Sequence, residues 1–181
     1  MGVRGRNFAT VTKRAINNEL HKMYVELAYR WVMNNTSCGI AFKELKTANT
    51  ESPDVIGFGS WGHSVLVEVK VNRGDFLSDK NKFFRKHPEK GMGSQRFYFC
   101  PKGLISKEEL PAGWGLVWVG CNMKARIVYS PYKGNIGERC EPLKKNIKAE
   151  HIMMYSALRR LHLRGLIDLI YEPLDGLIKH Q

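Results

Sequence analysis

The feature that most constrains this fold is the stretch from Pro53 to Lys70, PDVIGFGSWGHSVLVEVK. Apolar residues dominate both ends of the stretch, and the glycine-rich segment GFGSWG lies between them. This pattern predicts two antiparallel strands joined by a turn. Valines occupy alternate positions of the second strand and point to one face, so Glu68 and Lys70 share the other face. The hairpin is therefore predicted to have one apolar face and one charged face.

The position of the turn predicts which residues of the hairpin face each other. Facing residues of an antiparallel pair have numbers with a constant sum, which is 122 for a turn centred on Trp61. Asp54 then lies opposite Glu68, with Cβ atoms about 5 Å apart. Two carboxylates so placed repel and must be neutralised by a proton or a cation. Carboxylate oxygens suit Mg²⁺, with Mn²⁺ as a substitute, and Lys70 would reach a phosphate bound to that metal.

The same residues allow a simpler interpretation. Glu68 and Lys70 would form a surface ion pair on an edge hairpin, and a one-residue slip of the turn would move Asp54 to the opposite face. Glu-x-Lys also occurs at Glu44 and Lys46, so this motif alone is weak evidence. GFGSWG matches G-x-G-x-x-G, but a strand-like run follows it instead of a helix, which excludes a dinucleotide-binding interpretation.

Periodicity elsewhere predicts one α/β domain with a mixed central sheet flanked by helices. Asp75 is a candidate N-cap for the second helix. The predicted strands span 39–45, 54–58, 64–71, 96–100, 115–119 and 125–129, and the predicted helices span 13–34, 74–87 and 150–164. We expect a basic N-terminal arm at 1–12, a core at 13–130 and, packed on the same domain, a C-terminal helical extension at 131–181.

The charge of the chain favours a polyanionic partner. It has 29 Lys and Arg against 17 Asp and Glu, a net charge of +12 and a pI near 9.7. Such a balance is typical of nucleic-acid-binding proteins. The four cysteines lie far apart without zinc-site spacing, which favours reduced thiols. No apolar window reaches the roughly 18 residues of a membrane helix, so we expect a cytoplasmic protein without a membrane partner.

The order helix, three strands, helix, strand resembles the PD-(D/E)XK nuclease superfamily, with PD opening the second strand and EVK in the third. The resemblance covers residues 15–120 at most and implies a restriction-endonuclease-like fold with an αβββαβ core. The longer run VEVKVNRGDFLSDKNKF, followed by RFYFCP, is similar to a DNA-repair and phage-type branch of that superfamily.

The resemblance also implies a function. Asp54, Glu68 and the backbone carbonyl of Val69 would hold Mg²⁺, and Lys70 would assist the water that attacks a DNA phosphodiester bond. A homodimer would suit the cutting of both strands of a duplex. The superfamily includes members that bind without cutting, so the alternative is a catalytically inactive nucleic-acid-binding module of the same fold.

Members of the superfamily often add an acid from the first helix, and Glu26 is the match in this sequence. Glu19 lies one helical repeat away and is nearly as eligible. A surface pair between Glu26 and Arg30 is the competing interpretation.

Basic residues after the Glu-x-Lys strand are candidates for contact with nucleic acid. Lys80 falls inside the apolar stripe of the second helix, where a lysine must either extend to solvent or reach a negative group. Lys82, Arg85 and Lys86 are expected to point outward and follow phosphates, and Arg73 is assigned to the same surface.

Overall fold

The computed structural model describes residues 8–132, 136 and 143–174, with side chains from residue 14 onward. The fold is α/β, with a six-stranded mixed sheet and helices on both faces. The strands are β1 Ile40–Lys43, β2 Val55–Phe58, β3 Ser64–Val69, β4 Gln95–Pro101, β5 Trp114–Val119 and β6 Ala125–Tyr129. The helices are α1 Phe8–Asn35, α2 Arg73–Asp79, α3 Phe83–Lys86 and α4 Ile147–Leu163, with short 3-10 helices at Pro88–Lys90, Lys107–Glu109 and Ile167–Tyr171.

The strands lie in the sheet in chain order. The pairs β1–β2, β2–β3 and β5–β6 are antiparallel, whereas β3, β4 and β5 run parallel to one another. All six predicted strands are present, and their ends differ from the prediction by at most two residues. Helix α1 begins at Phe8, so residues 8–12 of the expected arm are helical, while residues 1–7 lie outside the described part.

Helix α1 covers one face of the sheet. Its apolar residues recur at three- and four-residue steps and pack on the valines of β2 and β3 and on phenylalanines of β4. Trp31 lies edge-on to Phe97, with ring centroids 5.3 Å apart. Gly57 allows this close packing, because a Cβ atom there would lie 2.6 Å from Cγ1 of Val32. Gly57 is therefore a strand residue, and the hairpin turn runs from Gly59 to His63.

The opposite face of the sheet is covered by α2 and by the first turns of α4. Phe76 of α2 lies edge-on to Tyr98 of β4, with centroids 5.2 Å apart. Glu150 of α4 is buried and accepts hydrogen bonds from the Ser64 hydroxyl at 2.6 Å and the Gly93 amide at 2.9 Å. These contacts attach the C-terminal helix to the sheet. Of the expected C-terminal extension at 131–181, residues 133–135, 137–142 and 175–181 lie outside the described part.

The prediction of one helix over 74–87 is wrong, because this segment forms two short helices. Asn72, instead of Asp75, caps α2: its Oδ1 accepts a hydrogen bond from the Asp75 amide at 2.9 Å. Helix α2 ends at Asp79, and turn residues separate it from α3. The break changes the direction of every side chain after Lys80 from that of a continuous helix.

Among the described helices, none combines the length and the apolar character that crossing a membrane requires.

Candidate active site

The register of the β2–β3 hairpin determines the arrangement of the candidate site. Val55 pairs with Val67 and Ile56 with Leu66, so facing residues have the expected constant sum. Continued by one residue, this register places Asp54 opposite Glu68 at the open end of the hairpin. The Asp54 side chain bends along the strand, and its Oδ2 accepts a hydrogen bond from the Val69 amide at 2.7 Å.

Glu68 projects from β3 into a buried group of cations. Its side chain is 4% exposed, and its carboxylate lies 3.1 Å from Lys70 Nζ, 3.3 Å from Lys82 Nζ and 3.3 Å from Arg85 Nη2. Burial alone would raise the pKa of Glu68, but the attraction of these cations, with Lys70 the largest contributor, outweighs it and holds the pKa below its ordinary value. Glu68 is therefore ionised at neutral pH.

Asp79, which the sequence reasoning did not single out, is the second carboxylate of this cluster. Its side chain is fully buried and lies 3.0 Å from Lys70 Nζ, 2.8 Å from Lys82 Nζ and 2.6 Å from Arg85 Nε. The Tyr98 hydroxyl donates a further hydrogen bond at 2.6 Å. Burial opposes ionisation of Asp79, but the surrounding cations and the hydroxyl lower its pKa overall.

The two carboxylates are thus surrounded by three cations of the chain itself, and one of these cations, Arg85, also lies 3.9 Å from the buried Glu51 carboxylate. From the sequence, repulsion between Asp54 and Glu68 predicts that Glu68 needs an added cation or a proton. In the structure, cations of the chain itself already neutralise Glu68. Lys82 is the exposed member of the group, since half of its side chain is open to solvent. The side chains of Lys70 and Arg85 are 7% and 4% exposed.

A second group of polar side chains surrounds Asp54. His21 Nε2 of α1 lies 3.4 Å from Asp54 Oδ1 and 3.7 Å from Glu44 Oε1. The three residues can each offer one ligand atom, and these atoms all lie within 4.8 Å of one another. The hydrogen bond to Asp54 is the main reason why the pKa of His21 is raised, and burial and the nearby Lys70 ammonium oppose it. Two carboxylates and an imidazole are a donor set that a divalent cation can use.

Glu26, the predicted acid of the first helix, is not brought to this group. Its carboxylate pairs with Lys43 Nζ at 2.5 Å, and half of its side chain is exposed. Glu19 pairs with Lys22 at 2.8 Å on the same surface. Residue 21 of α1 faces Asp54 instead, because α1 lies with its Tyr24 and Ala28 face on the sheet.

The basic residues after β3 separate into inward and outward sets. The prediction that Arg85 points outward is wrong, because its guanidinium is buried against Glu68 and Asp79 and stacks 4.3 Å from the Trp114 ring centroid. Lys82 also reaches inward. The break between α2 and α3 is the physical reason for both differences.

The remaining predicted nucleic-acid-binding residues lie at the surface. Lys80 is exposed, and its Nζ lies 5.8 Å from the centroid of the Phe76 ring. Lys86 is exposed on α3. Arg73 makes a two-pronged ion pair with Glu109, which places its charge on the loop after β4. Val69 contributes its backbone to the site, since its side chain lies in the core and its amide binds Asp54.

His21 and Asp79 are the two site residues that the sequence prediction missed, and only His21 has a sequence signal that could have indicated it. His21 shares the predicted helix with Glu26 and lies near its apolar stripe, so a search for metal ligands of any type in that helix would have included it. Asp79 carries no such signal. Its role depends on the docking of α2 beside Tyr98, which pairs with Glu68 in the sheet register.

Comparison with known proteins leaves the family of this chain open. No family model matches the sequence, and no curated protein matches it. Among solved structures, the chain is similar to the SPO1766 protein of unknown function from Silicibacter pomeroyi, with 24% sequence identity and a TM-score of 0.44. That match covers 69% of this chain and 79% of the other.

Proposed function

We propose that this chain is a metal-dependent nuclease that hydrolyses DNA phosphodiester bonds and has a restriction-endonuclease-like fold. The hairpin register is the observation that carries the proposal. It brings Asp54 to the backbone of β3 beside Glu68, with Lys70 directly after the end of that strand. The element order of one helix, three antiparallel strands, short helices and a parallel fourth strand agrees with that resemblance.

The cation would be Mg²⁺ or Mn²⁺, held by Asp54, Glu68 and the backbone carbonyl of Val69. His21 and Glu44 lie beside Asp54 and enlarge the donor set on the side of α1. When bound, such an ion would polarise a phosphoryl oxygen and lower the pKa of a bound water. The side chain of Asp54 is 19% exposed and is the accessible carboxylate of the proposed ligands.

The chain's own cations would act on the phosphate. The Lys70 ammonium is held by two carboxylates and lies beside the proposed ligands, where it can donate hydrogen bonds to phosphoryl oxygens or orient the attacking water. Lys82 reaches the same carboxylates from a half-exposed position, so it is the cation that can leave when a divalent ion or a phosphate arrives.

A non-catalytic nucleic-acid-binding module is the second candidate, and one observation favours it. The Glu68 carboxylate already contacts three cations of the chain. A carboxylate that is already paired with three cations attracts a divalent cation less strongly than an unpaired one. In that case Glu68 would have a structural role, and the basic chain would bind nucleic acid without cutting it.

Purified protein incubated with plasmid and with single-stranded DNA in Mg²⁺ or Mn²⁺ tests the proposal. We expect cutting by the wild type and a loss of at least about a hundredfold in the Glu68→Ala and Lys70→Ala variants, with DNA binding retained. Glu19→Ala and Lys22→Ala, prepared in the same way, are matched controls from an exposed ion pair and are expected to cut like the wild type.

Two outcomes would contradict the nuclease proposal. Equal cutting by Glu68→Ala, Lys70→Ala and wild type would show that these residues do not carry the activity. Salt-sensitive DNA binding without cutting in either metal would favour the non-catalytic module.

A further inference from the structure

A cleft separate from the candidate active site lies at the β5–β6 end of the sheet. It has a volume of about 300 Å³ and is lined by the cationic side chains of Lys102, Lys124 and Arg126. Trp118 forms an apolar wall, and its ring is held in place because Nε1 donates a hydrogen bond to the Ile105 carbonyl at 3.0 Å. The register pairs Trp118 directly with Arg126.

The cleft carries positive charge that the described residues leave unbalanced. No carboxylate is among its lining residues, and within the described ranges none of its three cations takes part in an ion pair. Arg73 differs in this respect, since Glu109 pairs with it. The three side chains are exposed, so their charges are available to an anionic ligand.

Hydrogen bonds order the backbone at Lys102 and Lys124, two of the three residues that carry these cations. The turn between β5 and β6 is closed by hydrogen bonds from the Gly120 amide to the Lys124 carbonyl and from the Met123 amide to the Gly120 carbonyl, both 3.0 Å. Asn122 Oδ1 accepts a further hydrogen bond from the Lys124 amide at 3.1 Å. The Lys102 amide bonds to the Val119 carbonyl at 3.0 Å, which joins the end of β4 to the end of β5.

The topology places this cleft on the same edge of the sheet as Lys70. Strands β3, β4 and β5 are parallel, so the residues that follow them, Lys70, Lys102 and Gly120, leave the sheet at one edge. Neighbouring strands are about 4.8 Å apart, which puts the end of β5 roughly 10 Å from the end of β3. That distance corresponds to about three nucleotides at roughly 3.4 Å each.

We infer that the cleft of Lys102, Lys124 and Arg126 binds the phosphate backbone of a nucleic acid whose scissile region lies at Lys70. The inference rests on the proposed function in taking nucleic acid as the ligand. Its contacts are to phosphates, so they supply affinity and position and carry no base preference.

DNA binding measured in EDTA over a range of salt concentrations tests this inference without any cutting. The triple variant Lys102→Ala, Lys124→Ala, Arg126→Ala is compared with the wild type and with a second triple variant, Lys148→Ala, Arg159→Ala, Arg164→Ala. The second variant, called the α4 variant, removes two exposed cations of α4 and the exposed arginine that follows its last residue. We expect the cleft variant to bind at least about tenfold more weakly, with a slope of log K against log salt shallower by about 2 to 3. The α4 variant is expected to stay near wild type.

The outcomes separate this inference from the nuclease proposal. A wild type that binds but does not cut, together with a weakened cleft variant, would contradict the proposed catalysis and support the cleft. Unchanged affinity and slope in the cleft variant would overturn the inference and leave the cleft to another anionic partner, such as an acidic protein. Equal weakening in both triple variants would also overturn it, because the effect would then follow net charge alone.

Discussion

The Asp79 carboxylate and the Lys70 ammonium lie 3.0 Å apart, and both side chains are buried. Among the described residues, Asp79→Asn would leave Lys70 paired with Glu68 alone, and Arg85 paired with Glu68 and, at 3.9 Å, with Glu51. We expect a loss of about 3 kcal/mol in the free energy of unfolding, measured by urea denaturation, because a buried charge pair is broken on one side. Tyr98→Phe, which removes one hydrogen bond to the same carboxylate, should cost about 1 kcal/mol. Equal small losses in both variants would contradict this ranking.

If a divalent ion binds at Glu68, Lys82 would compete with it for the buried carboxylates, since its Nζ lies 3.3 Å from Glu68 and 2.8 Å from Asp79. Lys82→Met removes this cation and keeps the length of the side chain. We expect Mn²⁺ affinity, measured by calorimetry, to rise by roughly tenfold, which is about 1.4 kcal/mol. Lys80→Met removes a cation placed over the Phe76 ring and should leave the affinity unchanged. A fall in affinity in the Lys82 variant would show that this lysine assists the metal.

His21, instead of Glu26, is the residue of α1 that contacts Asp54. If the metal is held at Asp54, we expect His21→Ala to lower Mn²⁺ affinity by about tenfold or more and Glu26→Gln to leave it within about twofold. Glu26→Gln is a suitable control because it breaks only the exposed pair with Lys43. The reverse pattern would restore Glu26 as the acid that the first helix contributes.

Glu51 makes the stability of the fold depend on pH. Burial is the main reason why its pKa rises from 4.5 to about 7, and its carboxylate accepts a hydrogen bond from the Met92 amide at 2.6 Å. The folded state therefore binds more protons than the unfolded state between these values, so stability falls as the pH rises from about 4.5 to 7 and then levels off.

The Glu51→Gln variant keeps a hydrogen-bond acceptor and carries no titrating proton. We expect it to lose this pH dependence and to exceed the wild type by up to about 3 kcal/mol in unfolding free energy at pH 8. Urea denaturation at pH 5 and pH 8 measures both effects. The variant and the wild type should agree more closely at pH 5, and a wild type that is more stable at pH 8 than at pH 5 would contradict the assignment to Glu51.

The six strands and the β2–β3 register follow from local sequence. Alternating apolar residues define each strand, and the segment from Gly59 to His63 sets the turn, so the opposition of Asp54 and Glu68 needs no knowledge of the rest of the molecule. The long amphipathic helix α1 is predictable for the same reason, although its beginning at Phe8 is not.

The surroundings of the two carboxylates depend on contacts between distant segments. Asp79 and Arg85 become partners of Glu68 because the chain breaks between α2 and α3 and folds both side chains against β3 and β4. Periodicity gives the direction of a side chain only within an unbroken helix or strand. Because one continuous helix was assumed over 74–87, the prediction had Arg85 pointing outward to solvent. Sequence alone thus determined the strands, the hairpin and the identity of its charged residues. Tertiary packing decided which cations and which helix residue face them, because electrostatic partners are selected by distance in space.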